Sequence, residues 1–276
     1  MNYAVTVVSP PGYIHSAAFR EVAETVHHGL ESLGHDSVLT TQTMLPGRRH
    51  IVLGSNLLPD YPLPLAEDAI LYNLEQVDTD SDWIRPELLD LLGRYEVWDY
   101  SERNAKALRE LGVGAARVVP IGYVPELTRI TPVAQPDVDV LFFGSVNARR
   151  QRVIDSMRAL GLRVEAVFGV YATDRDALIA RSKLVLNVHF YEAKVLEMTR
   201  ISYLLANRVA VLSEGSSSPA EDAALAGGVA FVPYVQLAPR AAELIADSEQ
   251  RRRLADRGFE LMSDRPEREY LRAALR

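Results

Sequence analysis

Residues 191–215 read YEAKVLEMTRISYLLANRVAVLSEG, and the interpretation of the second half of the chain depends on this stretch. Its last part, VAVLS (209–213), is a short apolar run of the kind that forms a buried strand. The part before it has helical spacing, which places one set of residues near a single face: Ala193, Leu196, Glu197, Arg200 and Leu204. Two of these residues are charged, and an ion pair buried in a core stabilises a fold only weakly. The charges therefore favour a ligand site over a purely structural helix.

The same order of strand and helix recurs along the chain. In the first half, NYAVTVVS (2–9), HIVLG (50–54) and AILYNL (69–74) alternate with helical patterns. In the second half, VDVLFFG (138–144) and LVLNVHF (184–190) do the same. This alternation indicates parallel sheets with helices on both faces.

The polar stretch TPVAQPD (131–137) contains two prolines and is the best candidate for a linker. We therefore predict an α/β protein of two Rossmann-like, doubly wound parallel-sheet domains, residues 1–130 and 137–276, that face each other across a cleft. Ligands of such sheets bind at the carboxyl ends of the strands, so we expect the site in that cleft.

Composition excludes several classes of function. The chain of 276 residues has 30 basic and 37 acidic residues, a net charge of −7 and no cysteine. Disulfides, thiol nucleophiles and cysteine-bound zinc are excluded, and the negative charge argues against a nucleic-acid partner. No apolar run reaches the roughly 18 residues of a membrane span, and the N-terminus lacks the pattern of a signal peptide. We therefore expect a cytoplasmic protein without a transmembrane segment.

The strand that ends at Gly144 is followed by polar and basic residues suited to phosphate. Glycine lets the backbone approach a phosphate closely, Ser145 and Asn147 can cap the next helix, and Arg150 can meet phosphate oxygens. A capped helix with solvated arginines is the alternative interpretation.

The strand LVLNVHF (184–190) is also followed by candidate ligand contacts. His189 lies at its end, Lys194 can neutralise phosphate, and Arg200 can pair with Glu197, three residues before it. Glu192 or Glu197 can accept hydrogen bonds from sugar or ribose hydroxyls. The alternative is a helix whose charges face solvent.

These segments resemble the glycosyltransferases with the GT-B fold, of the family 1 and family 4 type. LNVHFYEAKVLEMTRISYLLANRVAVLSE (186–214) has the order of their donor-binding region: strand, Tyr-Glu, helix, small residues, strand. DVLFFGSVNARR (139–150) is similar to their strand–Gly–basic segment, and VVSPPGY (7–13) to their first strand and glycine loop. The chain departs from the family where a second glutamate follows the first by eight residues, because Arg200 stands eight residues after Glu192. The resemblance therefore implies a short and divergent member.

The resemblance implies a hexosyltransferase-like enzyme that moves a sugar from a nucleotide-diphosphate donor to an unidentified acceptor. In the first half it implies acceptor-side residues at Gly12, Tyr13 and Glu75, and His15 as the base for the acceptor hydroxyl. Glu75 and Asp99 are reserves for that base. Two alternatives remain open: a sugar-nucleotide epimerase of the same architecture, and a non-catalytic module that binds a nucleotide sugar or a partner.

The sequence gives no reason to expect a metal or another cofactor. His27 and His28 fall within a helix, and no histidine pair has the HExxH spacing of a zinc site. DTDSD (78–82) lacks the glycine and glutamate that a calcium loop needs at its later positions. We therefore predict transfer without a metal ion.

Overall fold

The computed structural model describes residues 1–78, 81, 83–114 and 116–276, so three residues of the DTDSD segment lie outside the described part. It divides into two compact units. The first comprises Met1–Val124 and Arg265–Arg276, and the second comprises Pro125–Asp264. The division differs from the predicted domains, 1–130 and 137–276, because the second unit begins before the proposed linker and the end of the chain packs on the first unit.

The first unit contains a six-stranded parallel sheet. Its strands are β1 (Asn2–Val7), β2 (Asp36–Thr40), β3 (Arg49–Leu53), β4 (Ile70–Asn73), β5 (Glu96–Asp99) and β6 (Arg117–Val118). The helices between them are α1 (Arg20–Ser32), α2 (Pro86–Leu92) and α3 (Glu102–Glu110). The strands lie in the order β2-β1-β3-β4-β5-β6, and all neighbours are parallel.

The second unit contains a five-stranded parallel sheet. Its strands are β7 (Val138–Phe143), β8 (Val164–Val167), β9 (Ser182–Asn187), β10 (Val211–Glu214) and β11 (Ala230–Val232). Its helices are α4 (Ala148–Ala159), α5 (Ala172–Ala180), α6 (Met198–Ala206), α7 (Pro219–Ala224), α8 (Leu237–Ala246) and α9 (Ser248–Ser263). The strands lie in the order β11-β10-β9-β7-β8, again all parallel.

Both sheets are covered on both faces. Leu184, Val185 and Leu186 are consecutive residues of β9 and have no exposed surface, and the same holds for Ile70 and Leu71 of β4. Consecutive strand residues point to opposite faces, so each sheet has a buried layer on either side. This explains why the strands are continuous apolar runs without polar alternation. The predicted pair of parallel-sheet α/β domains is confirmed.

In each sheet the order of strands reverses at one position. The chain adds β2 on one side of β1 and then places β3 on the other side; likewise β8 and β9 lie on opposite sides of β7. Open parallel sheets bind their ligands at such reversals, in the loops that follow the two central strands. The strand order alone therefore selects the loops after β1 and β3, and those after β7 and β9.

The segment before β10 differs from its prediction. The structure ends β9 at Asn187 and begins α6 only at Met198, so residues 188–197 form a loop and not the first turns of a helix. Lys194 has a φ of 50°, a left-handed conformation that a helix does not allow. The Lys194 carbonyl accepts a hydrogen bond of 3.0 Å from the Ser217 backbone N–H. The sequence-based helix over this segment was wrong because the apolar residues Val195 and Leu196 are buried from a loop.

Among the described residues, no helix has both the length and the apolar character needed to cross a membrane.

The last helix of the chain, α10 (Glu267–Ala274), completes the first unit. The side chain of Glu267 lies against Gly29 of α1, where an added Cβ would approach its Cγ to 2.6 Å. One carboxyl oxygen of Glu267 accepts a hydrogen bond from the Gly122 backbone N–H. The residue is 1% exposed. Burial raises the pKa of Glu267 to about 8, against which the Gly122 hydrogen bond acts only partly.

We expect Glu267 to make the protein less stable as the pH rises from 5 to 8. The unfolded chain loses this proton near pH 4.5, whereas the folded chain keeps it until about pH 8. The folded state therefore binds more protons in that window, and the free energy of unfolding falls with rising pH. Glu267→Gln removes this term, so its stability relative to wild type should increase by roughly 2–4 kcal/mol across the window.

Urea unfolding at several pH values measures this difference. Glu269→Gln is the matched control, because Glu269 lies on the same helix with a half-exposed side chain paired to Arg272. A constant difference between wild type and Glu267→Gln from pH 5 to 8 would contradict the prediction.

Candidate functional site

The candidate site of the second unit is formed by the loops that follow β7, β9 and β10. Arg149, at the start of α4, donates a hydrogen bond of 3.2 Å to the His189 carbonyl in the loop after β9. It also pairs with Glu214 at the end of β10. The carboxyl ends of the three strands thus meet at the reversal of strand order, where a ligand is expected.

Arg200 lies directly beside Gly144. A Cβ added at Gly144 would stand 2.9 Å from Nη2 of Arg200, and the φ of Gly144 is 139°, so only glycine suits this position. The Arg200 guanidinium lies over the ring of Phe143, 5.0 Å from its centroid. Burial lowers the pKa of Arg200, a sign of how closely the protein surrounds the charge.

No carboxylate in the described part of the chain forms an ion pair with Arg200 within 4.0 Å. Its Nη1 instead donates to the side-chain carbonyl of Asn187 at 2.7 Å, and its Nε is buried without a hydrogen-bond partner among the described residues. The charges of Glu197 and Arg175 act on Arg200 from beyond direct contact. A partly buried cation whose direct contacts are a neutral amide, aromatic rings and a glycine backbone is suited to an anionic ligand.

Glu197 is turned into the protein instead of toward a ligand. The Asn187 amide donates to its Oε2 at 2.7 Å, and Nδ1 of His189 lies 3.0 Å from the same oxygen. Burial alone would raise the pKa of Glu197, but the nearby His189 and Arg200 and the hydrogen bond from Asn187 lower it to about 2.

His189 and Glu197 therefore differ from their expected role as direct ligand contacts. His189 has no exposed surface, and both ring nitrogens lack a well-aligned hydrogen-bond partner among the described residues. His189 lies against Glu197, Glu197 accepts from Asn187, and Asn187 accepts from Arg200. Of the two glutamates considered for sugar hydroxyls, Glu192 is the exposed one.

Arg150 and Asn147 also have structural roles. Arg150 is 5% exposed and donates from Nε to the Val188 carbonyl at 2.8 Å and from Nη1 to the Ser145 carbonyl at 2.9 Å. Burial, followed by the Arg200 charge, lowers the pKa of Arg150 to about 10. Asn147 caps α4 by accepting from the Arg150 backbone N–H at 2.9 Å. Arg150 thus joins the loops that carry the site, and its expected contact with phosphate stays a prediction; Ser145 is exposed.

Sequence reasoning missed Arg149 and Glu214. The Arg149 guanidinium binds both carboxylate oxygens of Glu214 and lies 4.1 Å from the ring centroid of Tyr234. Glu214 is 2% exposed, and Nζ of Lys194 lies 3.3 Å from its Oε1. The sequence signals Arg149 only as the neighbour of Arg150. It does not show which of the two arginines is buried.

The first unit places four sequence-predicted residues after β1 and β4. Gly12 has a φ of 78°, and His15 is the second residue of a short 3₁₀ helix (Ile14–Phe19), with its ring centroid 5.3 Å from that of Tyr13. Glu75 follows β4, and its backbone carbonyl accepts from the side-chain amides of Asn73 at 2.9 Å and Asn104 at 3.0 Å.

The two carboxylates held in reserve as bases differ sharply in their surroundings. Asp99 has no exposed surface, and its oxygens accept from the Asn73 amide at 2.6 Å and the Ser101 N–H at 2.8 Å. It is therefore structural. Glu75 remains partly exposed, while its carboxyl lies in a packed environment that raises its pKa to about 7.

We expect Arg149→Ala to destabilise the second unit far more than Lys194→Ala. Removing Arg149 deprives the buried Glu214 of its bidentate partner, which costs about 3–5 kcal/mol when a buried ion pair is broken. The Lys194 side chain is 36% exposed, and its loss should cost about 1 kcal/mol or less. Urea unfolding measures both, and Arg149→Ala combined with Glu214→Gln should recover part of the loss. Equal effects of the two alanine variants would contradict this account.

Comparisons of sequence give limited information. No protein-family model matches the chain. An uncharacterised protein of Acanthamoeba polyphaga mimivirus is 29% identical over 146 residues, which are 52% of this chain. The chain covers only 14% of the length of that viral protein.

Comparisons of structure cover the whole chain. AviGT4, a glycosyltransferase involved in avilamycin A biosynthesis, is similar with a TM-score of 0.57 and 16% identity, over 100% of this chain and 96% of that one. Anabaena HepE in complex with UDP and glucose is similar with a TM-score of 0.62 and 14% identity, over 100% of this chain and 99% of that one. WaaG, a glycosyltransferase involved in lipopolysaccharide biosynthesis, is similar with a TM-score of 0.59 and 11% identity, over 99% of this chain and 98% of that one. At these identities the likeness shows the fold alone, and it confirms the fold implied by the sequence motifs: the chain has the GT-B glycosyltransferase fold.

Proposed function

We propose that the protein is a glycosyltransferase and that its second unit binds the diphosphate of a nucleotide sugar. The observation that carries this proposal is the partly buried Arg200 guanidinium, which lies beside Gly144 near the reversal of strand order and forms no ion pair with a carboxylate among the described residues. A diphosphate is the anion that this position best accommodates, because it brings oxygens for both the cation and the backbone amides of a glycine loop.

The chemistry of transfer needs stabilisation of the leaving group. When the bond from the sugar to the diphosphate breaks, negative charge develops on the leaving phosphate oxygen. Arg200 is held in place by Asn187 and the Phe143 ring, so it needs no reorganisation to meet that charge. Lys194 lies on the loop after β9 with a partly exposed ammonium group and can leave Glu214 to contact the second phosphate. These fixed cations would replace a metal ion, and we propose transfer without one.

The structural comparisons support the donor class. HepE was solved with UDP and glucose, and it has the same fold over the whole of this chain. The nucleoside and the sugar that this protein uses are left to experiment, as is the acceptor.

We expect Arg200→Ala and Lys194→Ala to weaken nucleoside-diphosphate binding. Losing a hydrogen-bonded cation costs about 1.5–3 kcal/mol, so the dissociation constant should rise about tenfold to a hundredfold for Arg200→Ala and by less for Lys194→Ala. Isothermal titration with UDP, GDP and ADP measures the affinity, and thermal unfolding of the free variants reports separately on folding.

Arg253→Ala is the control, because Arg253 is an arginine of the same unit whose side chain is 61% exposed and paired only locally with Glu249. If Arg200→Ala binds nucleoside diphosphates with unchanged affinity, the diphosphate does not bind at Arg200 and the proposal is wrong. Isomerisation of the nucleotide sugar without an acceptor would identify an epimerase instead, and no binding of any nucleotide would favour the non-catalytic alternative.

For the base that activates the acceptor, we propose Glu75 in preference to His15. The Glu75 carboxyl titrates near neutral pH because burial disfavours its charge, which suits proton abstraction at physiological pH. Two asparagine side chains fix its backbone, and its Oε1 lies 3.5 Å from the Asn56 amide. The Tyr13 hydroxyl is close enough for the Glu75 charge to raise its pKa, after the larger effect of burial. His15 is half-buried in a short 3₁₀ helix, and its ring meets that of Tyr13 edge to face.

We expect the rate of sugar transfer at low acceptor concentration to rise with pH and level off above about 7. The deprotonated carboxylate is the active form, so activity is lost as the pH falls through the pKa of Glu75. Glu75→Gln should lower kcat/KM by about a hundredfold or more, remove this pH dependence and leave diphosphate binding unchanged. His15→Ala should have a much smaller effect. A large loss of kcat/KM in His15→Ala, together with normal turnover in Glu75→Gln, would identify His15 as the base.

A further inference from the structure

We propose that His27, His28 and Glu31 of α1 bind a divalent transition-metal ion such as Zn²⁺. The proposal concerns the first unit alone and does not depend on the function proposed above. The three side chains bring one donor atom each to within 4.8 Å of one another.

The donor atoms converge on one oxygen of Glu31. Nδ1 of His28 lies 3.0 Å from Oε2 of Glu31, and Nε2 of His27 lies 3.5 Å from the same oxygen. Ligand atoms in a tetrahedral zinc site, each about 2.0–2.1 Å from the metal, lie about 3.3 Å apart. The two distances to Glu31 are close to that value, and the two ring nitrogens lie within 4.8 Å of each other, so an ion can enter with side-chain movements that bring the rings closer together.

The helix explains why these three residues meet. Glu31 follows His27 by four residues and His28 by three, so its side chain lies between the two rings one turn further along α1. The two imidazole rings are 4.8 Å apart between centroids. Sequence reasoning tested only histidine pairs for a zinc motif and overlooked this combination of spacings.

The ring of His27 also has an outer partner of the kind found at metal sites. Its Nδ1 lies 2.9 Å from Oγ of Ser37, a residue of β2 that is 7% exposed. When Nδ1–H donates to that hydroxyl, Nε2 carries the lone pair and points toward Glu31. Metal-bound histidines regularly use the second nitrogen in this way, which fixes the tautomer and the orientation of the ring.

The donor set selects the class of metal. Two imidazole nitrogens and one carboxylate oxygen suit Zn²⁺, Co²⁺, Ni²⁺ or Cu²⁺, whereas Mg²⁺ and Ca²⁺ prefer oxygen ligands throughout. The Glu31 side chain is 48% exposed, so solvent can reach the site and water can complete the coordination. Because His27 also contacts β2, a bound ion would fasten the last turns of α1 to the sheet.

Metal binding is tested on the untagged full-length chain with two probes. Zn²⁺ is titrated by calorimetry with thermal unfolding in parallel, and Co²⁺ is titrated by visible absorption, which reports nitrogen and oxygen ligation directly. We expect binding of one ion and a midpoint of thermal unfolding that rises with Zn²⁺ concentration.

Four variants separate a metal site from a histidine–glutamate ion pair. His28→Ala and Glu31→Gln change partly exposed side chains, so both should fold and bind Zn²⁺ about tenfold more weakly or worse. Ser37→Ala should weaken binding by about tenfold or more through the loss of the outer contact. His35→Ala is the matched control, because it removes another histidine of the same unit and keeps all three donors.

Two results would overturn the proposal. One is the absence of any Zn²⁺ or Co²⁺ binding by the wild-type protein. The other is wild-type affinity in both His28→Ala and Glu31→Gln, which would place the ion elsewhere.

Discussion

The side-chain amide of Asn187 connects the buried charges of the second unit. Its nitrogen donates to Glu197 and its oxygen accepts from Arg200, so one neutral group satisfies an anion and a cation at the end of β9. A leucine here would remove the hydrogen-bond acceptor of Arg200, and an aspartate would place a second carboxylate against Glu197. The orientation of Arg200 toward Gly144, and with it the candidate diphosphate site, depends on this amide.

In both sheets, asparagine side chains stabilise the loops at the strand ends, but the charged groups beside them differ. In each, the order of strands reverses beside the first strand, and buried asparagines stabilise the loops that follow. Asn73 and Asn104 hold the carbonyl of Glu75 in the first unit, where the nearby carboxyl titrates close to neutrality. Asn187 holds an arginine in the second. This is the basis for proposing a proton acceptor in one unit and an anion site in the other.

The two parallel sheets could be predicted from the sequence because their strands are continuous apolar runs. Such runs are typical of strands that are buried on both faces of a sheet. The closeness of Gly144 and Arg200 also agrees with their places in the segments that follow β7 and β9, although Arg200 reaches Gly144 from α6. Which side chains around Arg200 are buried and which are exposed could not be predicted. Arg149 and Arg150 are neighbours in sequence, and only the fold decides that Arg150 is buried against carbonyls while Arg149 faces Glu214. Helical spacing likewise failed over 191–197, because Lys194 adopts a left-handed backbone that no local pattern signals.

The return of the chain to the first unit has a consequence for biosynthesis. Residues 125–264 are inserted, in the sense of connectivity, between the bulk of the first unit and α10. During translation the ribosome therefore releases a complete second unit before the first has received the helix that covers Gly29 and Gly122. The nascent first unit carries an uncovered surface for the time needed to synthesise about 140 residues, roughly 7–30 s at the usual rates. During that interval it is the part of the protein most exposed to chaperones and to aggregation.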